Sequence, residues 1–327
     1  MKKLTIAIPT YNGARTIKRT LDSILGQPFP KNEVDVIVCN NYSTDNTVEI
    51  LQPFLSQIIL FNNDSNLGGD RNFQLCVDRS ESEYVWIVGD DDVLKENSIT
   101  EVLTKLSNDT YACVFVNYSL YDIKLQKEIV EKFIPINHDI VAKGISQFLE
   151  HTNTAGNFLS SIIHNKEYFK SVNSTKYYGT CFLQFAVIID YVNNNDTLII
   201  AQALVTNMGD STDREFNAGG VSVKIISNLY TIVKTASSQY LEFNIRQKLL
   251  KLIHETLKYK ILSAKRLGLK VKMKLLKELI NNFRGYWSFW VIDIPILLIP
   301  NFVVTFIYKV YRVKWINALI NRNIKIR

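Results

Sequence analysis

Three consecutive carboxylates, Asp90, Asp91 and Asp92, follow Gly89 at the end of the apolar run 84–88. A short run rich in β-branched and aromatic residues predicts a buried strand. Carboxylates crowded onto one turn repel one another, and the repulsion is relieved by a divalent cation, by Arg or Lys partners, or by full exposure to water. Taken alone, the triplet fits a metal site and a solvated acidic turn equally well.

The elements that would position this turn follow from the periodicity. Short β-branched runs alternate with helical stretches, which is typical of parallel strands joined by crossover helices. Strands are predicted at 4–8, 34–39, 58–61, 84–88 and 112–118. Helices are predicted at 14–25, from 46, at 70–77 and at 98–106, the last with a capping box formed by Ser98 and Glu101. The less regular stretch 119–210 predicts a mixed extension of the same sheet, so the predicted fold class is α/β.

Polar segments follow four of these strands. They are Pro-Thr-Tyr-Asn at 9–12, Asn-Asn-Tyr-Ser-Thr-Asp at 40–45, Asn-Leu-Gly at 66–68 with Arg71, and Gly-Asp-Asp-Asp at 89–92. Ligands of a doubly wound sheet bind at the carboxyl ends of its strands. We therefore expect the functional site where these four segments meet.

The order and spacing of the four segments resemble those of the family 2 glycosyltransferases with the GT-A fold, whose core is a Rossmann-like mixed sheet with crossover helices. The likeness covers residues 1–125 and is strongest to the branch that adds rhamnose, abequose or similar sugars to bacterial surface polysaccharides. It implies a GT-A domain at 1–220 and an inverting, metal-dependent glycosyltransferase. The implied donor is a UDP- or dTDP-linked sugar, and the implied acceptor is a glycan, in this setting linked to polyprenyl diphosphate.

The resemblance also implies roles for individual residues. A divalent metal, Mn or Mg, is expected on Asp90 and Asp92, where it would neutralise the departing diphosphate. The residues expected at the nucleotide and its diphosphate are Pro9, Thr10, Tyr11, Asn12, Asn40, Asp45, Asn66, Arg71, Asp90 and Asp91. The chain departs from the family at Asn40-Asn41, where acids are usual. This departure leaves the identity of the nucleotide, UDP or dTDP, undetermined. For Arg71, a surface salt bridge to Asp70 or Asp78 is the alternative.

The catalytic base is the least defined part of the predicted site. Family members place an Asp or Glu after the acceptor-side strand to take the acceptor hydroxyl's proton. The corresponding stretch 178–187 offers Gln184 and no acid. The candidates are Asp190, Asp210 and His164. The loop that contains Asp210 is either a mobile lid over the diphosphate or a plain surface loop.

Charge is divided unevenly along the chain. Residues 1–220 hold 18 Lys and Arg against 27 Asp and Glu, whereas 221–327 hold 20 against 4. The net charge of +7 therefore combines an acidic body, about −9, with a basic C-terminal region, about +16. A region this basic needs a polyanion, either nucleic acid or an anionic membrane surface.

The composition of the basic region favours a membrane surface over nucleic acid as its partner. A basic amphipathic helix is predicted at 246–260, and aromatic and cationic residues flank an apolar stretch at 291–308. Asp293, Pro295 and Pro300 interrupt that stretch, which predicts shallow or re-entrant insertion instead of a span. The alternative is a helical subdomain packed on the body or on a second copy in a homodimer. Nucleic acid is not expected, because the aromatics do not interleave with the lysines and no binding motif occurs.

Two other classes of function compete with the transferase. A sugar-nucleotide pyrophosphorylase would carry a Gly-rich phosphate loop after the first strand, which Pro9–Gly13 is not. A catalytically inactive membrane scaffold of the same fold would explain the missing base. Four separated cysteines in mostly apolar surroundings and the absence of a secretion signal predict a cytoplasmic protein, peripheral on the inner face of the cell membrane.

Overall fold

The computed structural model divides the chain into two compact units, Met1–Ser211 and Thr212–Arg327, each described by itself below. The residues that the structure describes are 1–123, 126–208, 221–236, 241–269 and 271–305. The predicted domain boundary at residue 220 lies outside them.

The described part of the first unit is built on one ten-stranded mixed sheet. Its strands are β1 (Leu4–Thr10), β2 (Val34–Asn40), β3 (Ile59–Asn62), β4 (Tyr84–Ile87), β5 (Val93–Leu94), β6 (Cys113–Asp122), β7 (Lys127–Val130), β8 (Ile140–Lys143), β9 (Ile162–Asn165) and β10 (Asp196–Asn207). Their order is β3-β2-β1-β4-β9-β6-β10-β5, with β7 beside β6 and β8 beside β10. Strands β1 to β4 pair in parallel, as do β6 and β10, whereas β9 is antiparallel to both β4 and β6. The predicted mixed α/β sheet is confirmed.

The parallel strands form because most side chains in them are apolar and buried. Leu4, Ile6, Ala7 and Ile8 of β1 are 0% exposed, so both faces of the strand are covered. Strands buried on both faces need helices on each side, and crossover helices supply them.

The helices of the first unit match most of the predicted positions. They are α1 (Ile17–Leu25), α2 (Thr47–Leu51), α3 (Gly69–Arg79), α4 (Ser98–Asn108), α5 (Gly144–Thr152), α6 (Lys166–Lys170) and α7 (Leu183–Tyr191). The predicted capping box of α4 is wrong. Asn97, with a left-handed φ of 63°, is the N-cap, and the Ser98 hydroxyl donates to the Lys95 carbonyl instead.

The described part of the second unit is helical. Its elements are α8 (Val221–Thr235), α9 (Phe243–Arg266), α10 (Met273–Phe283), a π-helical turn (Phe289–Asp293) and α11 (Ile294–Leu298). Leu249, Ile253 and Leu257 of α9 are buried, and α9 packs against α8, the π-helical turn and α11. The apolar face of the predicted amphipathic helix is therefore used inside the unit and is not available to a membrane. Among the described residues, no helix combines the length and apolarity needed to cross a bilayer.

A substitution at Gly144, the first residue of α5, tests the backbone conformation between β8 and this helix. Its φ is +72°, and an added Cβ would lie 2.7 Å from the backbone oxygen of Asn193. Gly144→Ala should lower the free energy of unfolding by about 2 kcal/mol or more, because a side chain is strained there and meets backbone. Urea unfolding followed by circular dichroism measures this.

Gly69→Ala, in α3, is the matched control, since no atom lies within 4 Å of its added Cβ. Equal stability of the Gly144 and Gly69 variants would contradict the described geometry.

Candidate active site

The register of the parallel strands brings the predicted site segments to one edge of the sheet. Thr10 pairs with Asn40, and Asn40 pairs with Asn62. On the other side of β1, the Val88 amide donates to the Ala7 carbonyl at 2.9 Å. The carboxyl ends of β1 to β4 are therefore level, and the polar segments that follow them lie together.

Asp90 is held by the loop that follows β1. The Thr10 hydroxyl donates to Asp90 Oδ2, and a Cβ added at Gly13 would lie 2.4 Å from the same oxygen. Gly13 is thus required for the close approach of the two loops. Burial raises the pKa of Asp90 to about 6, and the charge of Asp91 raises it as well, although the Thr10 hydrogen bond lowers it.

Asp92 is buried more deeply than Asp90, with 4% of its surface exposed. Ser160 donates from Oγ to Asp92 Oδ2 at 2.6 Å and accepts from the Gly89 amide at 2.8 Å. Burial first, and then the charge of Asp91, raise the pKa of Asp92 well above its ordinary value. The turn is fixed from α1 too, since Thr20 Oγ1 donates to the Asp92 carbonyl at 2.7 Å and Arg19 to the Asp91 carbonyl at 2.9 Å.

The chemistry of this donor set fits a hard divalent cation. Hydroxyls and backbone amides bind the Asp90 and Asp92 carboxylates, and burial is the largest cause of the raised pKa of both acids. Carboxylate oxygens are hard ligands of the kind that Mg²⁺ and Mn²⁺ prefer. Within the described ranges, no three His, Cys, Asp or Glu side chains gather into a self-contained metal site. Mg²⁺ and Mn²⁺ are commonly bound by one or two carboxylates together with substrate phosphates. Two carboxylates would therefore bind such an ion only when a phosphate ligand completes its coordination shell.

The loops after β1 and β2 are hydrogen-bonded to each other. The Asn12 amide donates to Ser43 Oγ at 2.9 Å, and the Thr44 amide donates to Asn12 Oδ1 at 2.8 Å. Tyr11 and Tyr42, one on each loop, are 48% and 53% exposed. Two exposed aromatic rings on joined loops give a flat surface of the kind on which a base stacks. Tyr42 was missed from sequence, although an aromatic residue within a polar strand-end loop is the signal for it.

Asp45 connects these two loops, and Pro9 lies in the strand that precedes the first of them. The Asp45 carboxylate accepts from the Ala14 amide at 3.2 Å and from the Thr47 amide at 3.1 Å. Burial would raise the pKa of Asp45, but the Thr47 and Ala14 hydrogen bonds outweigh it and lower the pKa. Pro9 lies in β1 opposite Cys39. Both residues lie where the nucleotide was predicted, with Asp45 already serving as a local cap.

The Asn40-Asn41 departure is explained by a network of side-chain amides around these two buried residues. Asn40 Nδ2 donates to Asn62 Oδ1 at 2.8 Å, and Asn41 Nδ2 donates to Asn66 Oδ1 at 3.0 Å. Asn41 Oδ1 also accepts from Asn63 and from the Leu67 amide. A carboxylate at either position has no hydrogen to donate to the facing carbonyl oxygen. Asn40 and Asn66 are therefore engaged in shaping the loops.

Arg71 does not form either of the salt bridges that were its predicted alternative. Its guanidinium lies over the Tyr178 ring, 5.5 Å from the centroid. Asp70 accepts from the backbone amides of Gly179 and Cys181, and Asp78 accepts from Gln74. Arg71 is exposed at the start of α3, directly after the loop that contains Asn66.

His164 is in the core, and the structure contradicts its candidacy as a catalytic base. It is 0% exposed, its Nδ1 lies 2.7 Å from the Tyr191 hydroxyl, and Phe73 and Phe169 pack edge-on against its ring. Burial lowers the pKa of His164 to about 3. A neutral imidazole without solvent contact has no route to an acceptor hydroxyl.

Asp190 is also engaged in contacts with neighbouring side chains. Its Oδ2 accepts from the Tyr177 hydroxyl at 2.7 Å and pairs with Lys176 Nζ at 2.6 Å. It lies near the end of α7, whereas Gln184 lies in the first turn and donates to the Asn157 carbonyl at 2.9 Å. Asp210 lies outside the described residues.

Sequence comparison places the chain among known transferases. Residues 5–172 match the model of Glycosyl transferase family 2. Abequosyltransferase RfbV of Salmonella typhimurium is 25% identical over 252 residues, 72% of this chain and 75% of that protein. A GalNAc(5)-diNAcBac-PP-undecaprenol beta-1,3-glucosyltransferase of Campylobacter jejuni is 27% identical over 51% of this chain and 55% of that protein. The match to the Staphylococcus aureus poly(ribitol-phosphate) beta-N-acetylglucosaminyltransferase TarS covers only 18% of that protein's length.

Solved structures share the fold at low sequence identity. Staphylococcus aureus TarS 1-349 in complex with UDP-GlcNAc superposes with a TM-score of 0.63 at 15% identity, covering 88% of this chain and 81% of that one. The mannosyltransferase PcManGT from Pyrobaculum calidifontis, in complex with GDP-Man and Mn²⁺, gives a TM-score of 0.56 at 11% identity, covering 95% of this chain and 87% of that one.

The sheet topology and these neighbours define the first unit as a GT-A fold. The chain belongs to glycosyl transferase family 2 and is an enzyme, a glycosyltransferase. The predicted family, fold and enzyme class are confirmed.

The buried His164 gives a pH dependence of stability. Its pKa is about 3 in the folded chain and about 6.5 when unfolded, so below pH 6.5 the unfolded chain binds a proton that the native chain does not. Stability is lost as pH falls through that window. Between pH 7.5 and 5.5 the wild type should lose about 1.4 kcal/mol more than His164→Asn, measured by urea unfolding at each pH. Identical pH dependence in both proteins would show that His164 titrates normally.

Proposed function

We propose that this glycosyltransferase moves a sugar from a nucleoside-diphosphate donor directly to a hydroxyl of a lipid-linked glycan during bacterial surface polysaccharide synthesis, with inversion at the anomeric carbon. The observation that carries the proposal is the acidic turn, Asp90 to Asp92, fixed at the same sheet edge as the two joined loops after β1 and β2. The activities for which the Salmonella and Campylobacter relatives are named support the polysaccharide setting and the lipid-linked acceptor.

In this proposal, the exposed rings of Tyr11 and Tyr42 bind the base of a UDP- or dTDP-linked sugar, and Arg71 approaches the diphosphate. The acceptor oxygen bonds to the anomeric carbon as the bond from that carbon to the diphosphate oxygen breaks. The nucleoside diphosphate leaves with the bonding electron pair, and the hydroxyl proton passes to a carboxylate. Of the three candidate bases, Asp210 is the one that stays a prediction, since His164 and Asp190 are engaged elsewhere.

Asp90 and Asp92 are the residues that would hold Mg²⁺ or Mn²⁺. When bound, such an ion neutralises the charge that grows on the departing diphosphate. The chain's own contribution is to hold both carboxylates in place through Thr10 and Ser160, with Asp92 buried and Asp90 half-buried.

Donor turnover tests this role of the acidic turn. Asp90→Asn and Asp92→Asn should each lower hydrolysis of a nucleotide sugar by at least about 100-fold, and EDTA should do the same to the wild type. The assay follows release of UDP or dTDP from UDP-glucose, UDP-N-acetylglucosamine, UDP-galactose and dTDP-rhamnose.

Asp22→Asn is the matched control, because Asp22 lies on the exposed side of α1 and pairs only locally, with Lys18. Full activity in EDTA or in the two variants would exclude a metal on the turn. A membrane scaffold would bind none of these nucleotides, and a pyrophosphorylase would instead form nucleotide sugar and pyrophosphate from a nucleoside triphosphate.

The second unit carries the apolar surface that we propose to rest on the inner leaflet. Trp287, Trp290, Val291, Leu298 and Phe302, the aromatic stripe, are between 48% and 76% exposed. They alternate with Phe289, Asp293, Leu297 and Val304, which are 3% exposed or less. Residues 285–305 therefore bury one side within the unit and leave exposed large apolar side chains on the other.

Charge favours a lipid surface as the occupant of the stripe. Lys272, Lys274, Lys277 and Arg284, just before the stripe, are exposed, and Asp293, the one acid within 285–305, is buried against His254. Tryptophans beside cations suit the headgroup region of an anionic bilayer. A second copy of this equally basic chain would bring like charges together.

Vesicle binding tests the stripe. The triple variant Trp287→Ser, Trp290→Ser, Phe302→Ser should bind vesicles containing one-third phosphatidylglycerol at least about tenfold more weakly than the wild type, measured by co-sedimentation.

Phe243→Ser is the control, because Phe243 is 72% exposed in the same unit but outside the stripe. Unchanged vesicle binding, together with conversion of a wild-type dimer to a monomer in analytical ultracentrifugation, would show that a second copy covers the stripe instead.

A further inference from the structure

The segment Tyr178–Phe182 leads into α7, and contacts of the segment and of the first turn of α7 connect it to other parts of the candidate site. On one side, Asp70 Oδ2 of α3 accepts from the Gly179 amide at 2.7 Å and from the Cys181 amide at 3.1 Å. On the other side, Gln184 donates to the carbonyl of Asn157. Asn157 lies three residues before Ser160, whose hydroxyl holds Asp92.

The backbone of the segment is unusual where Asp70 contacts it. Gly179 has a φ of +82° and Cys181 a φ of +62°, the left-handed region that non-glycine residues seldom adopt. Two amides aimed at one oxygen form an anion-binding concavity, or nest. Here the anion is the Asp70 carboxylate of the same protein, and its charge strengthens both hydrogen bonds. The carboxylate therefore stabilises a conformation that is unfavourable at Cys181.

The residue after Asp70 contacts the same segment. Arg71 places its guanidinium over the Tyr178 ring. Asp70 and Arg71 begin α3 immediately after the Asn66–Gly68 loop, and Asn66 is hydrogen-bonded to Asn41 at the end of β2. Through these contacts, the segment and the first turn of α7 connect the loops proposed for the nucleotide with the stretch Asn157–Ser160, in which Ser160 holds Asp92. A donor sugar attached to the diphosphate would lie between the loops proposed for the nucleotide and the turn at Ser160.

We propose that Asp70 is a positioning residue that holds the segment Tyr178–Phe182 as a wall of the donor-sugar subsite. The inference rests on the proposed function and adds the residue that shapes the sugar pocket. Asp70 touches neither nucleotide nor sugar. It acts through the backbone of Gly179 and Cys181, so its loss should weaken binding of the sugar part of the donor and leave binding of the nucleoside diphosphate intact.

Cys181 provides a probe of the segment that needs no activity. All four cysteines lie in the described part of the chain, and Cys39, Cys76 and Cys113 are 0% exposed, whereas Cys181 is exposed. A thiol reagent such as 5,5′-dithiobis(2-nitrobenzoate) should therefore report on Cys181 in the native protein, and Cys181→Ser should abolish the fast phase of labelling.

The experiment compares the full-length wild type with Asp70→Asn, which keeps the side chain's shape but removes its charge. Without nucleotide, the variant should label at Cys181 at least about threefold faster, because the segment is held less firmly. In calorimetry, its affinity for UDP should stay within about twofold of the wild type. Its affinity for the best-hydrolysed donor of the panel above should fall about tenfold.

Asp78→Asn is the control, since Asp78 is on the same helix and accepts a local hydrogen bond from Gln74. It should leave labelling and both affinities unchanged. Asp70→Glu, which keeps the carboxylate, should recover part of the donor affinity.

Two results would overturn the inference. One is an unchanged rate of Cys181 labelling in a folded Asp70→Asn protein. The other is an equal loss of affinity for UDP and for the nucleotide sugar, which would mean that Asp70 supports the whole site. If the wild type binds no nucleotide, it is the proposed function that fails, while the labelling rates still decide whether Asp70 holds the segment.

Discussion

The structure of the site depends on one electrostatic constraint, which is the crowding of three carboxylates at the end of a buried parallel strand. β4 is covered on both faces, so the turn that follows it leaves Asp90 and Asp92 partly or wholly out of water, where burial raises the pKa of both acids. Hydroxyl and amide donors hold the two carboxyl groups in place. Because a nearby cation favours the ionised form of a buried carboxyl group, this pair is suited to a ligand that brings a cation with it, and a diphosphate is such a ligand.

Hydrogen bonds of uncharged side chains shape the loops around the acidic turn. Where related transferases have acids after the second strand, this chain has Asn40 and Asn41, which are buried and whose side-chain amides hydrogen-bond with those of Asn62, Asn63 and Asn66. The one acid retained in that loop, Asp45, is exposed, and the backbone amides of Ala14 and Thr47 stabilise its charge locally. The loops after β1 and β2 are therefore joined by hydrogen bonds and do not depend on the carboxylates of the acidic turn.

The sequence was sufficient to predict strands β1 to β4 and β6, the presence of parallel pairing and the four polar segments, because these follow from local apolar runs and from the rule that parallel strands end at one edge. It was insufficient wherever a contact joins distant parts of the chain. Ser160 reaches Asp92 across 68 residues, and Asp70 reaches Cys181 across 111, with no local pattern for either. His164 was misjudged because a histidine beside an apolar run looks the same whether it faces the core or a cleft. The apolar face of α9 was assigned to a membrane because its partners within the second unit were not visible in its own periodicity.

The central claim is that the acidic turn binds the diphosphate through a shared divalent cation, and calorimetric titration of the wild-type protein tests it most directly. UDP and dTDP would each be titrated with and without 1 mM Mn²⁺, about the concentration that a weak two-carboxylate site requires. Manganese should tighten binding of at least one nucleotide by tenfold or more, and by linkage that nucleotide should tighten the binding of manganese by the same factor. Nucleotide binding that is tight and identical with and without manganese would contradict the claim.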